Sequence, residues 1–134
     1  MMEARQEPTW LTTVQVRMLH AESLRLFGGS PGLRDANLLE SALARPRQLF
    51  AYGDNPDLFA LAAEYAFGLA RNHAFVDGNK RVALLAVRAF LFVNGFRFEP
   101  EQVETVTTAV KRHLLLRSKA TDNFTHPRVR PAAG

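Results

Sequence analysis

Five polar residues crowd into nine positions: His73, Asp77, Asn79, Lys80 and Arg81, in the run His73-Ala-Phe-Val-Asp-Gly-Asn-Lys-Arg81. Long apolar segments flank the run on both sides. The chemistry these types can do together is phosphate chemistry. Histidine titrates near neutrality and can take a proton from an attacking hydroxyl, a step worth about 10²–10⁴ in rate. A carboxylate such as Asp77 is a hard oxygen ligand for Mg²⁺, which is usually shared with phosphate oxygens. Asn79 can donate to a phosphate oxygen, and Arg81 can bind one through two parallel N–H bonds.

The spacing adds a physical argument. A helix is expected from Asn79 to Asn94, which places Lys80 and Arg81 in its first turn. Cations there oppose the helix dipole, at roughly 0.3–1 kcal/mol each. Asp77 offsets part of this, and a bound anion would resolve the rest. Gly78 removes side-chain bulk where the helix amides point outward, so amides, glycine and cations form a phosphate cradle. Base, metal ligand and cationic cradle are the parts of a phosphoryl- or nucleotidyl-transfer site. The bland reading makes Asp77 an N-cap, His73 a helix cap, and Lys80 and Arg81 solvated. The cluster on one junction favours the site.

The elements that position this junction read as helices. The first is expected from Thr12 or Thr13 to Phe27, with Thr12 as cap and Val14, Met18, Leu19 and Leu26 on its inner face. Gly28, Gly29 and Gly32 make the turn that follows. Asp35 suits the N-cap of a second helix, which Pro46 is expected to stop. Residues 45–55 then form the longest irregular segment, the place for any short extended piece. Pro56 and Asp57 open a third helix, Leu58 to about Arg71. The third and fourth helices are apolar nearly all round, so both belong at the centre of a bundle. Gly95 closes the fourth. A fifth starts at Pro100, with Val103, Val106, Val110 and Leu114 at core spacing. The fold class is therefore all-α, with two buried central helices and the polar loop at their junction. Residues 1–10 are expected to be flexible, 11–120 to form one domain, and 121–134 to be a flexible tail.

Composition agrees with that scale. The chain has 134 residues, 47% apolar and 22% charged, which suits one globular domain. It has no cysteine, so no disulfide or thiolate metal site is possible. A net charge of +4 and a pI of about 10.1 favour anionic partners. The basic residues are scattered, which argues against nucleic acid as the main partner. No targeting segment or membrane span is expected, and a cytoplasmic setting is the simplest.

At His73 to Arg81 the sequence resembles the Fic/Doc family. His-x-Phe-x-Asp-Gly-Asn-x-Arg is the Fic motif, and Lys before the final Arg is similar to the death-on-curing (Doc) branch. Leu19-His20, Gly28-Gly29, Gly32-Leu-Arg-Asp35, Leu38 to Leu43, Asp57-Leu58, Leu61 to Ala63, Leu69-Ala70 and Asn94-Gly95 resemble that branch in the same order. The resemblance spans roughly residues 11–98.

The resemblance implies a toxin of a toxin–antitoxin pair and a compact Fic/Doc-like bundle. His73 would be the base toward a target hydroxyl, with Asp77 holding Mg²⁺. Gly78 and Asn79 would build the anion hole, and Lys80 and Arg81 would contact ATP phosphates. Phe75 would bury and fix the loop. Arg45, Arg47 and Tyr52 would belong to a flap that aligns the target segment. Adenylyl-transferring relatives have Gly where this chain has Lys80, and a second Arg where it has Leu84. Both departures point to a kinase that moves the ATP γ-phosphate to a Ser or Thr hydroxyl of elongation factor Tu and so halts translation. The implied partner is a small antitoxin with a disordered C-terminal segment, through which alone DNA would be met. The alternatives are an adenylyltransferase and a non-catalytic helical module that binds antitoxin or DNA.

Overall fold

The computed structural model describes residues 6–96, 108, 110–112 and 115. Four helices fill residues 13–93: α1 (Thr13–Phe27), α2 (Ala36–Tyr52), α3 (Leu58–Asn72) and α4 (Asn79–Val93). Three of them start at a side-chain cap. The Thr12 hydroxyl accepts from Gln15 N–H while the Gln15 side chain accepts from Thr12 N–H, a reciprocal box. Asp35 accepts from the amides of Asn37 and Leu38, and Asp57 from that of Ala60. Helix α4 has no side-chain cap.

Helix α3 lies at the centre, packed against α2 on one side and α4 on the other, and α1 covers α4. Leu61, Tyr65 and Leu69 of α3 meet Val82, Phe90 and Leu91 of α4 in a core where all six are buried. The expectation of two central helices holds most fully for α3. Helix α4 keeps Lys80, Leu84, Arg88 and Phe92 exposed at a spacing of four.

Three sequence expectations are corrected. Pro46 does not stop α2, which runs on to Tyr52, so residues 45–52 are helical rather than irregular. A mid-helix proline loses one hydrogen bond and crowds the preceding turn, at about 3 kcal/mol. Pro46 is fully buried, and packing along α3 offsets that loss. The contact is close: a Cβ on Gly68 would lie 2.8 Å from Arg45 Cδ and 3.1 Å from Ala42 Cα.

The inner face of α1 also differs. Val14, Met18 and Leu26 are exposed, while Val16, His20 and Ser23 are buried. Two faces of α1 carried enough apolar residues, and the one chosen places His20 against the α3–α4 junction. The extended pairing lies elsewhere than expected. Among the described residues there is no strand, and one isolated antiparallel bridge joins Leu33 to Phe75.

The chain before α1 is held down from Thr9 onward. Asn94 accepts from Thr9 N–H (2.8 Å) and donates to Thr9 C=O (2.9 Å). Trp10 stacks on Phe90, with centroids 6.0 Å apart. Val110 is helical and buried, while Val103, Val106, Leu114 and the tail 121–134 lie outside the described residues. No helix among the described residues is long and apolar enough to cross a membrane.

A bulky residue at Gly68 would force α2 and α3 apart. Gly68→Val is expected to destabilise the fold by about 1–3 kcal/mol, read as a lower melting temperature in thermal denaturation.

Candidate active site

The loop between α3 and α4 is built from both ends. Helix α3 ends at His73, whose backbone is left-handed (φ 53, ψ 48). Such a conformation costs a non-glycine residue on the order of 1–3 kcal/mol, so its surroundings must hold it. At the other end Gly78 takes φ 78, a region that glycine enters freely, and starts α4. Between them Ala74 and Phe75 turn inward and are buried, while Val76 is exposed.

Asn79 locks this turn. Its Oδ1 accepts from Phe75 N–H (3.1 Å), and its Nδ2 donates to Phe75 C=O (3.0 Å). Both ends of a buried amide therefore close one loop. The Asn79 side chain serves the loop rather than pointing at an anion, so any contribution to an anion hole falls to its backbone amide. The Phe75 ring stacks on His20, with centroids 3.9 Å apart and planes 15° from parallel. His20 Nε2 lies 2.7 Å from Asp77 C=O. A carbonyl only accepts, so this nitrogen donates. His20 is thus a satisfied structural histidine.

The α1–α2 loop forms the second wall. Ala74 C=O accepts from the amides of Arg34 (2.7 Å) and Asp35 (3.0 Å), and Val76 N–H donates to Gly32 C=O (3.0 Å). The Arg34 guanidinium donates through Nε to His73 C=O (2.8 Å) and through Nη2 to Asn72 C=O (3.3 Å). Nothing in a single sequence links it to carbonyls nearly forty positions away.

Asp77 is set between the two loops. Oδ2 accepts from Ser30 N–H (3.0 Å) and Oδ1 from Gly78 N–H (2.8 Å). The Ser30 amide, then the Gly78 amide and the charges of Arg81 and His20, hold its carboxyl below the usual range. Gly29 makes this possible: a Cβ there would lie 2.8 Å from Asp77 Oδ2. Arg81 reaches across the same gap. Its Nη1 donates to Gly28 C=O (3.0 Å), and its guanidinium lies 5.7 Å from the Phe27 ring centroid. Lys80 is exposed.

The result is a group of free helix amides that could hold an anion, with a histidine that could act as a base beside them. The backbone amides of Asn79, Lys80 and Arg81 have no partner among the described residues, and no side chain caps them. The His73 ring is exposed on the loop that leads into them. Asp77 is ionised, and each of its oxygens accepts one N–H, which leaves lone pairs for a cation. Among the described residues no three acidic, His or Cys side chains cluster to hold a metal. Mg²⁺ held by Asp77 would therefore need phosphate oxygens to complete its shell, as this ion usually does.

Arg45, Arg47 and Tyr52 stand apart from this site. They lie in the C-terminal half of α2, whereas His73 lies level with its start, where Asn72 donates to Leu38 C=O. From Leu38 to Tyr52 the helix rises by roughly 20 Å. Arg45 pairs with Glu64 at 3.4 Å and covers the Phe67 ring, and Arg47 lies over Trp10. Tyr52 is exposed and borders an open hollow of about 330 Å³ with Gln48, Leu49 and Gly53. A loop-like flap formed by these residues is corrected to a helical segment.

Comparison with known proteins agrees with the geometry. Residues 10–91 match the Fic/DOC family. The chain is 43% identical over 90 residues to the toxin Doc of Mycolicibacterium smegmatis, across 63% of this chain and 68% of that protein. It is 36% identical over 90 residues to protein kinase doc of Escherichia phage P1, across 66% of this chain and 71% of that protein.

Asn79→Ala leaves a buried donor and acceptor on Phe75 without partners, and should cost about 1–3 kcal/mol in thermal or denaturant unfolding. Asp77 supplies a pH test. Its depressed value stabilises the fold above the ordinary aspartate range, and that share disappears as pH falls through the lowered value. A carboxyl-carbon NMR titration should place its midpoint below that of an unfolded reference peptide. The stability gap to Asp77→Asn should close over the same interval.

Proposed function

The chain belongs to the Fic/Doc family, and on that premise we propose that it is a toxin acting as a protein kinase. It transfers the ATP γ-phosphate to a Ser or Thr hydroxyl of a translation factor, elongation factor Tu, and inhibits translation. The observation that carries this reading is the uncapped start of α4, with three unpartnered amides beside an ionised Asp77 and an exposed His73. Free amides at a helix start attract phosphate, and the dipole adds to them.

Each residue then has one task. His73 takes the hydroxyl proton as the oxygen attacks the γ-phosphorus. The bond from that phosphorus to the bridging oxygen breaks, and ADP leaves with the electron pair. The amides of Asn79, Lys80 and Arg81 hold phosphate oxygens, and the Lys80 ammonium adds charge. Gly28 C=O fixes Arg81 through Nη1, leaving its Nε and Nη2 edge for phosphate. Asp77 would hold Mg²⁺, which neutralises charge on the phosphates when bound.

Kinase rather than adenylyl transfer is supported by two positions. Lys80 stands, exposed, at the position where adenylyl-transferring relatives have a small residue that admits the α-phosphate. Leu84 is exposed one turn further along α4 and offers no charge to outer phosphates. The proposed regulatory partner is a cognate antitoxin with a disordered C-terminal segment, and nucleic acid is reached only through it.

The test uses γ-labelled and, separately, α-labelled ATP with elongation factor Tu and Mg²⁺. Label is expected from the γ position alone, and label from α would overturn the kinase assignment. His73→Ala should lower transfer by about 10²–10⁴-fold in the same assay.

A further inference from the structure

We infer that Arg34 is a positioning residue for His73, and that its fork on two carbonyls sets where the imidazole stands. The inference rests on His73 being the base proposed above.

A helix ends with carbonyls that have no intrahelical partner. At the end of α3 two of them, on Asn72 and His73, accept from Nη2 and Nε of one guanidinium. A guanidinium presents its donors in a rigid plane, so two such bonds fix the relative orientation of two successive peptide groups. Those groups flank the His73 α-carbon, and their orientation is its φ and ψ. His73 is left-handed without being glycine or asparagine. Relaxed to the right-handed form it would extend α3 by one residue. The His73 φ would then move from 53 to about −63°, and the imidazole would swing by roughly 115° about the N–Cα bond.

Arg34 is itself anchored. Its amide donates to Ala74 C=O, the residue before it bridges Phe75, and the residue after it caps α2. The guanidinium is exposed and makes no ion pair among the described residues. A cation kept only for solubility or for the α3 dipole would not need this fork. Arg71, in the last turn of the same helix, lies over Phe67 and serves as the charge-matched control.

The experiment compares wild type, Arg34→Ala, Arg34→Lys and Arg71→Ala in the full chain. With ATP varied, Arg34→Ala is expected to lower kcat by about 10²-fold while KM for ATP holds. Added guanidinium ion at millimolar concentration should return part of that loss, and Arg34→Lys should fall between. Arg71→Ala should match wild type. The carbon-bound ring protons of His73, assigned by NMR through its loss in His73→Ala, should shift or broaden in Arg34→Ala. Wild-type kcat in Arg34→Ala, or an equal fall in Arg71→Ala, would overturn the inference. If wild type itself transfers no phosphate, the kinase reading fails. The ring signal then decides alone: unchanged in Arg34→Ala, it overturns the inference, and shifted, it upholds it.

Discussion

The Asn79 side chain and the Phe75 backbone exchange two hydrogen bonds, and the rest of the site depends on that exchange. A loop between two buried helices has a difficulty. Its peptide groups are drawn into an apolar core, where an unpaired one costs about 1–3 kcal/mol. One carboxamide answers both the donor and the acceptor of Phe75. Phe75 can then bury its ring at 3% exposure without leaving its backbone unsatisfied. With Phe75 fixed, the two residues before it and the two after it have little freedom. His73 and Asp77 are those outer residues.

The loop between α1 and α2 completes the enclosure. It holds few side chains of its own in the core, and its work is done mostly by backbone. The amide of Ser30 holds Asp77, the carbonyl of Gly28 holds Arg81, and Gly32 pairs with Val76. Gly29 sits so close to Asp77 that a methyl group would displace it. His20 reaches from α1 to the Asp77 carbonyl and lies flat on Phe75. The charged groups are thus separated by design of the backbone, with Asp77 held ionised beside a cation and three unused amides. The dipole conflict at Lys80 and Arg81 is partly relieved inside the protein, because Arg81 turns back to the carbonyl end of α1. Lys80 is left in solvent.

Much of this was legible in the sequence. The caps at Thr12, Asp35 and Asp57, the spans of α1, α3 and α4 and the polar junction follow from local rules: which side chains can accept from helix amides, and how apolar residues repeat. The motif at His73 to Arg81 marks the site because so many charged types within nine residues have few other uses. Pro46 shows where local rules fail. Its cost is intrinsic to the residue, but the burial that offsets it belongs to α3. The face of α1 failed for a related reason: helical periodicity offered two stripes, and the acceptor that selects His20 lies 57 positions away.

The sequence by itself determined which groups could act: a histidine base, a carboxylate, a glycine and two cations at the start of a helix. Only the tertiary structure decided how each is aimed. It assigned the Asn79 side chain to the loop and left the α4 amides without a partner among the described residues. It gave Arg34 to the His73 carbonyl and made residues 45–52 part of a helix. The physical reason is that aim depends on hydrogen bonds between loops distant in sequence. Residue type fixes which bonds a group can make, and packing fixes which of them it does make.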